Sequence, residues 1–468
     1  MQTRPLNQVR RCAMIFLIVL PMLNACSLTA AEADRPNVLL IVSDDQQHDA
    51  MGCAGHPIVR TPNIDRLART GVRFTRTFVP VPICTPSRAA FLTGRFETSN
   101  GVSFFGQRIH EGIIAWPKAM ARAGYQTAMT GKWHNVRETD EYGFEWTANV
   151  FLRGMDYHMD PPMIQKPREK EKIVRGEINT IATDTALRFL KERDAKRPFF
   201  LYVAYVAPHD PFDPLPEYAR LYDPNTIPLP VNFLPKPTFD PGTLDIRDEQ
   251  LLPVPRPELD LKRQNAHYYS LISQMDDQIG RLLKGLEQAD PAGNTIIIFA
   301  GDNGLARGAH GFLGKQNMYE EGVRVPLIIS HPRMTGRAGK TSDALVYLLD
   351  LMPTVCDWTG APVPEGVEGR SLTRVFAGEK DGVRDFVIAR YDERTDPRFR
   401  MIRTDRYKLI HSFKADREEL FDLQADPHEM KDLSGDPAMQ EVRADLRRRL
   451  HQVMVEQNDT IGLTAWKK

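Results

Sequence analysis

Two pairs of oxygen-bearing residues close apolar runs in this sequence. Asp44-Asp45 follows "PNVLLIVS", and Asp302-Asn303 follows "NTIIIFAG". If the two runs are neighbouring strands, three carboxylates and an amide meet at one edge, where they repel one another unless a cation neutralises them. An all-oxygen set favours a hard ion, Ca2+ or Mg2+, over zinc. Other places add positive charge or proton carriers: Arg88, Lys132 and His134 in "GKWH", His209 in "APHDPF", and Lys315 in "GFLGK". Singly, each reads as a solvated cation or a hydrogen-bonded loop histidine, and an acidic pair after a strand reads as a cap for the next helix. Gathered around a divalent ion, they make a pocket for a tetrahedral oxyanion ester. Such an ester gains charge on its non-bridging oxygens and must protonate its leaving alkoxide.

Residue type alone does not assign Cys84. It opens "CTPSRAAFLTGR", ahead of Pro86 and Arg88, at the mouth of a helical segment that stops near Gly94. Core filler, half of a disulfide and the start of a nucleophile are all open readings. Five cysteines occur in the chain. Cys12 and Cys26 fall in the N-terminal leader described below, which leaves Cys53, Cys84 and Cys356. Three is too few and too odd for a disulfide framework. Cys53 in "MGCAG" and Cys356 in "MPTVCDWTG" have small or apolar neighbours and read as small buried hydrophobes.

The elements that must carry these residues alternate in type. "PNVLLIVS", "RPFFLYVAYVAPH" and "NTIIIFAGDNG" are short continuous apolar runs, as expected of strands buried on both faces of a parallel sheet. "TPNIDRLARTG" starts with a capping Thr61 and a first-turn Pro62, and Ile64, Leu67 and Ala68 share one helical face. "WPKAMARAGYQTAMTGKWH" reads as helix, glycine stop, strand and loop. Ile272, Met275, Ile279, Leu282 and Leu286 mark a long amphipathic helix. Apolar strands alternating with helices specify a doubly wound α/β sheet, mixed or parallel, with helices on both faces. Polar groups at the carboxyl ends of its strands lie where such sheets bind ligands. Between Pro208 and Pro257 thirteen prolines break periodicity, so this stretch is a long surface excursion able to shape specificity. From residue 385 the texture changes to short alternating segments and a charged helix, "AMQEVRADLRRRLHQVMVE". These predict a small antiparallel sheet packed with a helix. The expected organisation is a leader over 1–33, a catalytic domain over 34–384 and a C-terminal α+β subdomain over 385–468.

With 61 basic and 61 acidic residues the formal net charge is zero, so the chain has no basic footprint for nucleic acid. Arg4, Arg10 and Arg11 precede the apolar run Ala13 to Leu23, the layout of a secretory signal that is too short to span a bilayer comfortably. Leu23-Asn24-Ala25-Cys26 resembles a bacterial lipobox, which would leave Cys26 lipidated. Ala31-Glu32-Ala33 offers an ordinary cut before Asp34. Either route exports the protein to the periplasm or cell surface, with contact to a membrane only through a lipid on Cys26.

"CTPSR" continuing into "AAFLTGR" resembles the sulfatase signature C-x-P-x-R followed by Leu-Thr-Gly-Arg. Further landmarks match in order along nearly the whole mature chain: "NVLLIVSDD", "TPNIDRLA", "AGYQTAMTGKWH", "APHDPF", "GDNG", "GAHGFLGK", "YEEGVRVP" and "ELFDLQADPHEMKDL". The resemblance, to formylglycine-dependent sulfatases of the alkaline-phosphatase-like superfamily, implies that Cys84 is a precursor. A maturation enzyme oxidises it to formylglycine (3-oxoalanine), whose hydrate attacks sulfur and then expels sulfate. It also implies one Ca2+ held by Asp44, Asp45, Asp302, Asn303 and the oxygen at position 84. Arg88 would steady the hydrate, Lys132 and Lys315 would hold sulfate oxygens, His209 would protonate the leaving oxygen, and His134 would assist elimination. The implied activity is that of a sulfuric ester hydrolase, with a sulfated carbohydrate or glycan as the expected substrate. Phosphonate or phosphate esters, small aryl or choline sulfates, and a non-catalytic sulfate-polymer binder are the alternatives. The chain departs from the family at Gln46-Gln47-His48-Asp49, where an arginine is common. It departs again at Gly308-Ala309-His310-Gly311, where His310 is either a substrate contact or a loop-structuring residue.

Overall fold

The computed structural model describes residues 1–2, 35–136, 138–333, 335–379 and 382–466. The leader read in 1–33, with Cys12, Cys26 and Ala31-Glu32-Ala33, lies outside the described residues apart from its first two. The first strand, β1 (Asn37–Ser43), is the apolar run that precedes Asp44. Strands β2 (Val72–Phe78), β3 (Gln126–Lys132) and β4 (Trp146–Phe151) follow, then a two-residue pair, β5 (Pro162–Met163) and β6 (Lys172–Ile173). After them come β7 (Phe199–Ala204), β8 (Thr295–Gly301), β9 (Arg324–Ser330), β10 (Lys340–Ser342) and β11 (Val346–Tyr347). They assemble a nine-stranded sheet in the order β10-β2-β9-β8-β1-β7-β3-β4, with β11 beside β2. Only β9 runs against its neighbours, which makes the sheet mixed.

The core of this sheet is parallel. β1 lies between β7 and β8. Val38, Leu40 and Val42 pack into one hydrophobic cluster, and Leu39 and Ile41 into the cluster on the opposite face. A strand buried on both faces has no polar side to alternate with, which explains the unbroken apolar run. Helices α1 (Pro62–Thr70), α2 (Cys84–Thr93), α3 (Trp116–Arg122), α4 (Ile178–Glu192) and α5 (Glu258–Ala289) cover the faces. α2 and α3 share a cluster with Val38, Leu40 and Val42, while α1, α4 and α5 share one with Leu39 and Ile41. On α5, Met275, Ile279, Leu282 and Leu286 meet the sheet. Ile272 belongs instead to an adjoining cluster with Tyr268 and Leu305.

The second sheet runs β12 (Phe386–Glu393), β13 (Asp396–Thr404), β14 (Tyr407–Ser412) and β15 (Arg417–Asp422), all antiparallel. Its strands alternate as a two-faced sheet must. Val387, Ala389 and Tyr391 join a cluster with Phe78, Ile83 and Tyr319, while Ile388, Ile402 and Leu409 pack on Leu446, Leu450 and Val453 of helix α6 (Gln440–Glu456). Both sheets fall in one compact unit, Pro36–Lys468. Cys356 is fully buried, as expected. Cys53 is only half-buried, because it sits in a single turn, Gly52–Ala54, that ends at an exposed Gly55. No helix among the described residues is long and apolar enough to cross a membrane.

Candidate active site

Register brings the two oxygen-rich pairs together. β1 and β8 pair in parallel with Ser43 opposite Gly301, so Asp44 and Asp302 leave their strands side by side. A slip of one residue would turn both away. The next two strands contribute at the same edge. Lys132 is the last residue of β3, and His209 follows the end of β7. The side-chain Oδ1 of Asn179 on α4 accepts from the backbone N–H of Val206 at 2.9 Å and of Ala207 at 3.2 Å, which fixes the approach to His209. Lys132 owes its direction to Gly131. That residue has φ +87°, and a Cβ there would stand 2.0 Å from the carbonyl oxygen of Ala204, so only glycine permits the local register shift.

Cys84 is the first residue of α2 and is 1% exposed; Thr85, Pro86, Ser87 and Arg88 behind it are buried as well. Its thiol donates to Asp44 Oδ1 at 3.3 Å, and Asp45 Oδ1 is 3.7 Å away. Lys315 Nζ donates to the sulfur at 3.2 Å and Lys132 Nζ at 3.7 Å. Burial, then Asp44, push the thiol well above its usual range. That direction works against Cys84 acting as a thiolate in its unmodified form.

Arg88, one helical turn on, is wholly buried and ties four strand ends together. Its Nε donates to Asp302 Oδ2 at 2.9 Å, and Nη1 donates to the carbonyl of Lys132 at 2.9 Å and the hydroxyl of Tyr202 at 3.2 Å. Nη2 lies 3.8 Å from Asp44 Oδ1. Asp302 also accepts from the backbone N–H of Asp45 at 3.1 Å and of Asn303 at 2.9 Å. Burial works against its charge, but Arg88, Lys132 and Lys315 outweigh it and hold Asp302 below the usual carboxylate range. Asp44 and Asp45 go the other way. Burial, then Asp302, push Asp44 up to about 7, although Lys132 bonds its Oδ2. Burial also raises Asp45, and its backbone sits at φ 61°, a strained setting for a residue with a Cβ.

These residues fit a hard divalent cation. Three carboxylates share one buried edge, and two of them are pushed toward neutrality by desolvation and mutual repulsion. Asn303 donates to Asp45 Oδ1 at 2.7 Å, while its own Oδ1 is buried with no hydrogen-bond partner among the described residues. Side-chain donor atoms of Asp44, Asp45, Cys84 and His209 come within 4.8 Å of one another. His209 thus stands closer to the acidic pair than its motif suggested. Its Nε2 is 3.5 Å from Asp45 Oδ2 and 3.3 Å from Lys315 Nζ, and its Nδ1–H donates to the carbonyl of Asp210 at 2.7 Å. Burial, then the two lysines, keep His209 neutral.

A cavity of about 550 Å³ opens above Cys84, Lys315 and His209. His134 lines it as well, stacked on Phe105 with ring centroids 5.4 Å apart, and is held neutral by burial and by Lys132, Arg88 and Lys315. Of the candidates, Cys84, His134, His209 and Lys315 line this cavity, while His310 does not. It stacks on Tyr319 at 3.8 Å, and its Nε2 lies 3.0 Å from Asn232 Nδ2, contacts of a loop-structuring residue. Sequence reading missed Tyr202 behind Arg88 and a clamp in which Arg247 bonds Asp210 at 2.5 and 2.8 Å. "HDPF" gave a local hint for Asp210, but nothing marked Arg247. It also missed Tyr391, Glu393 and Arg398, which the second sheet contributes to the cavity wall.

An anion pocket at the strand ends of a doubly wound sheet, with acidic residues beside a Cys84 that opens a helix, defines a class of ester hydrolase. The sulfatase family model matches residues 36–361, and the model for the N-sulphoglucosamine sulphohydrolase C-terminal region matches 308–456. An N-acetylglucosamine-6-O-sulfatase of Bacteroides thetaiotaomicron is 30% identical, over 95% of this chain and 90% of that protein. An arylsulfatase of Clostridium perfringens is 29% identical over 85% of this chain and 89% of its own length. A solved structure with D-glucosamine-2-N,6-O-disulfate bound as its substrate superposes with a TM-score of 0.79 at 28% identity, covering 91% of this chain and 98% of that one. The chain belongs to the sulfatase family of the alkaline-phosphatase-like superfamily, and it is a sulfuric ester hydrolase.

Proposed function

We propose that this sulfatase removes sulfate from a sulfated saccharide and that Cys84 is the precursor of its nucleophile. The observation that carries the reading is the position of Cys84 Sγ, 3.2 Å from Lys315 Nζ, 3.7 Å from Lys132 Nζ and 3.3 Å from Asp44 Oδ1. The saccharide part draws on the N-acetylglucosamine-6-O-sulfatase relative and the structural relative with a disulfated glucosamine bound.

Conversion of Cys84 to formylglycine would supply, as its hydrate, a hard oxygen nucleophile in place of a protonated thiol. A bound Ca2+, held by Asp44, Asp45, Asp302 and Asn303, would supply the positive charge that lets these carboxylates stay ionised together. The remaining work belongs to side chains already in position. Lys132 and Lys315 take two non-bridging sulfate oxygens and stabilise the charge that builds there. Arg88 locks the start of α2 to the tips of β8, β1 and β3. The Nδ1–H bond from His209 to Asp210 turns Nε2 toward the cavity, where an entering sulfate monoanion offsets the lysine charge and favours the proton this nitrogen passes to the leaving oxygen. His134, neutral in the cavity lining, is the candidate base for release of sulfate. The leader over 1–33 would direct the protein to the periplasm or cell surface, as a soluble protein or on a lipid at Cys26. A catalytic domain over 34–384 and a C-terminal subdomain over 385–468 complete the assignment.

Peptide mass measurement across residue 84 tests the precursor role, with a loss of about 18 Da expected on conversion. Release of sulfate from a panel of sulfated sugars tests the substrate class. Turnover confined to aryl or choline sulfates would refute the saccharide assignment, and preference for phosphate or phosphonate monoesters would move the protein to another branch of the superfamily.

A further inference from the structure

The floor of the cavity is cationic, but its outer wall is not. Beyond Lys315, the lining carries Asp245, Asp248 and Glu393 against two guanidinium groups, those of Arg247 and Arg398. Both are already engaged. Arg247 spans Asp210, at 2.5 and 2.8 Å, and Asp248 Oδ1, at 2.6 Å. Arg398 donates to the carbonyl of Gly242 and lies 3.4 Å from Asp396. The carboxylates keep spare capacity. Asp245 is exposed, Glu393 accepts one bond from Tyr391, and the buried Oδ2 of Asp248 has no hydrogen-bond partner among the described residues.

The open groups of this wall are mainly acceptors; Arg398 Nε, buried and without a hydrogen-bond partner among the described residues, is an exception. Hydroxyl and ammonium groups gain hydrogen bonds there, because a carboxylate can accept and never donate. A second sulfate or a uronate carboxylate meets like charge, unpaired and partly desolvated, which is how pockets reject close analogues. We propose that the site takes a sparsely sulfated saccharide. The reacting unit carries one sulfate, its neighbouring hydroxyls are hydrogen-bonded by Asp248 and Glu393, and units bearing a second sulfate or a carboxylate beside the ester are excluded. The inference rests on the sulfate-ester reading of the site and narrows its substrate class.

The test separates recognition from turnover. Cys84→Ala protein, which cannot form the nucleophile, is titrated calorimetrically with hexose and N-acetylhexosamine monosulfates, and with matching vicinal disulfates and uronate-containing disaccharides. Monosulfates are expected to bind at least about tenfold more tightly. Adding Asp248→Asn with Glu393→Gln weakens monosulfate binding by about tenfold and narrows that gap. Disulfates that bind as tightly as monosulfates, variants that shift both classes equally, or no binding of any sulfated sugar would overturn the proposal. Sulfate release by the mature enzyme is read separately. Selective binding without release from any sugar defeats the hydrolase assignment for saccharides and leaves the role of the wall intact.

Discussion

Lys315 Nζ stands 2.7 Å from both carboxylate oxygens of Asp45, and the same ammonium lies 3.2 Å from Cys84 Sγ. One charge therefore steadies Asp45 and faces the proposed nucleophile precursor, Cys84. Lys315→Ala removes both services. kcat/KM is expected to fall by about 10²–10³, the scale of losing a positioned oxyanion partner. Lys315→Arg restores little, since a planar fork does not replace a point charge in a buried niche. Steady-state kinetics decide it, and a loss below about fivefold removes Lys315 from sulfate binding.

If His209 acts as the proposed proton donor, its importance depends on how badly the departing oxygen needs a proton. His209→Ala is expected to slow a sugar sulfate by about 10²–10⁴, the range of general-acid assistance. A nitrophenyl sulfate, whose phenolate leaves unaided, is expected to lose far less. Equal losses on the two substrates point to a binding role.

Removal of metal has a thermodynamic signature that does not need turnover. Chelation is expected to lower both activity and the midpoint of thermal unfolding, because a cation bound only by the folded edge stabilises it by about 2.7 kcal/mol at a hundredfold excess over Kd. Calcium restores both. Calorimetry on Asp44→Asn protein gives the control, in which added calcium no longer raises the midpoint.

Away from the site, the pH dependence of folding has a defined sign. Burial lifts Glu419 to about 7, despite the Tyr319 hydroxyl donating to it at 3.0 Å. The unfolded chain releases this proton near pH 4.5 while the folded protein keeps it to about 7, so the contribution of Glu419 is present below pH 4.5 and is lost as pH rises toward 7. Urea unfolding across that window is expected to show stability falling by a few kcal/mol at most, and Glu419→Gln flattens the slope. A slope unchanged in the variant reassigns the effect to other buried acids.

The strand ends were readable because their chemistry is local. An apolar run followed by Asp44-Asp45 or Asp302-Asn303 announces a buried strand and a polar tip within ten residues. What sequence could not give was adjacency. That β8 lies beside β1 rests on hydrogen-bond register between distant segments, and β9 reverses direction with no mark in its residues. Arg247 was invisible for the same reason. It sits in a proline-rich excursion without periodicity, and its partner Asp210 is 37 residues away in sequence. Tyr391 and Glu393 sit on an alternating strand, where period two tells which face is which but not that one end reaches a site on another sheet.

The seclusion of Cys84 imposes an order of events on biogenesis. No enzyme of ordinary size reaches a side chain that is 1% accessible beneath a helix whose next four residues are also sealed. Any catalyst that rewrites this thiol must work on the nascent or unfolded polypeptide, before α2 docks, and a copy that folds too early is locked out of maturation. On the proposed precursor role of Cys84, the yield of competent enzyme is set by a race between the modifying machinery and folding.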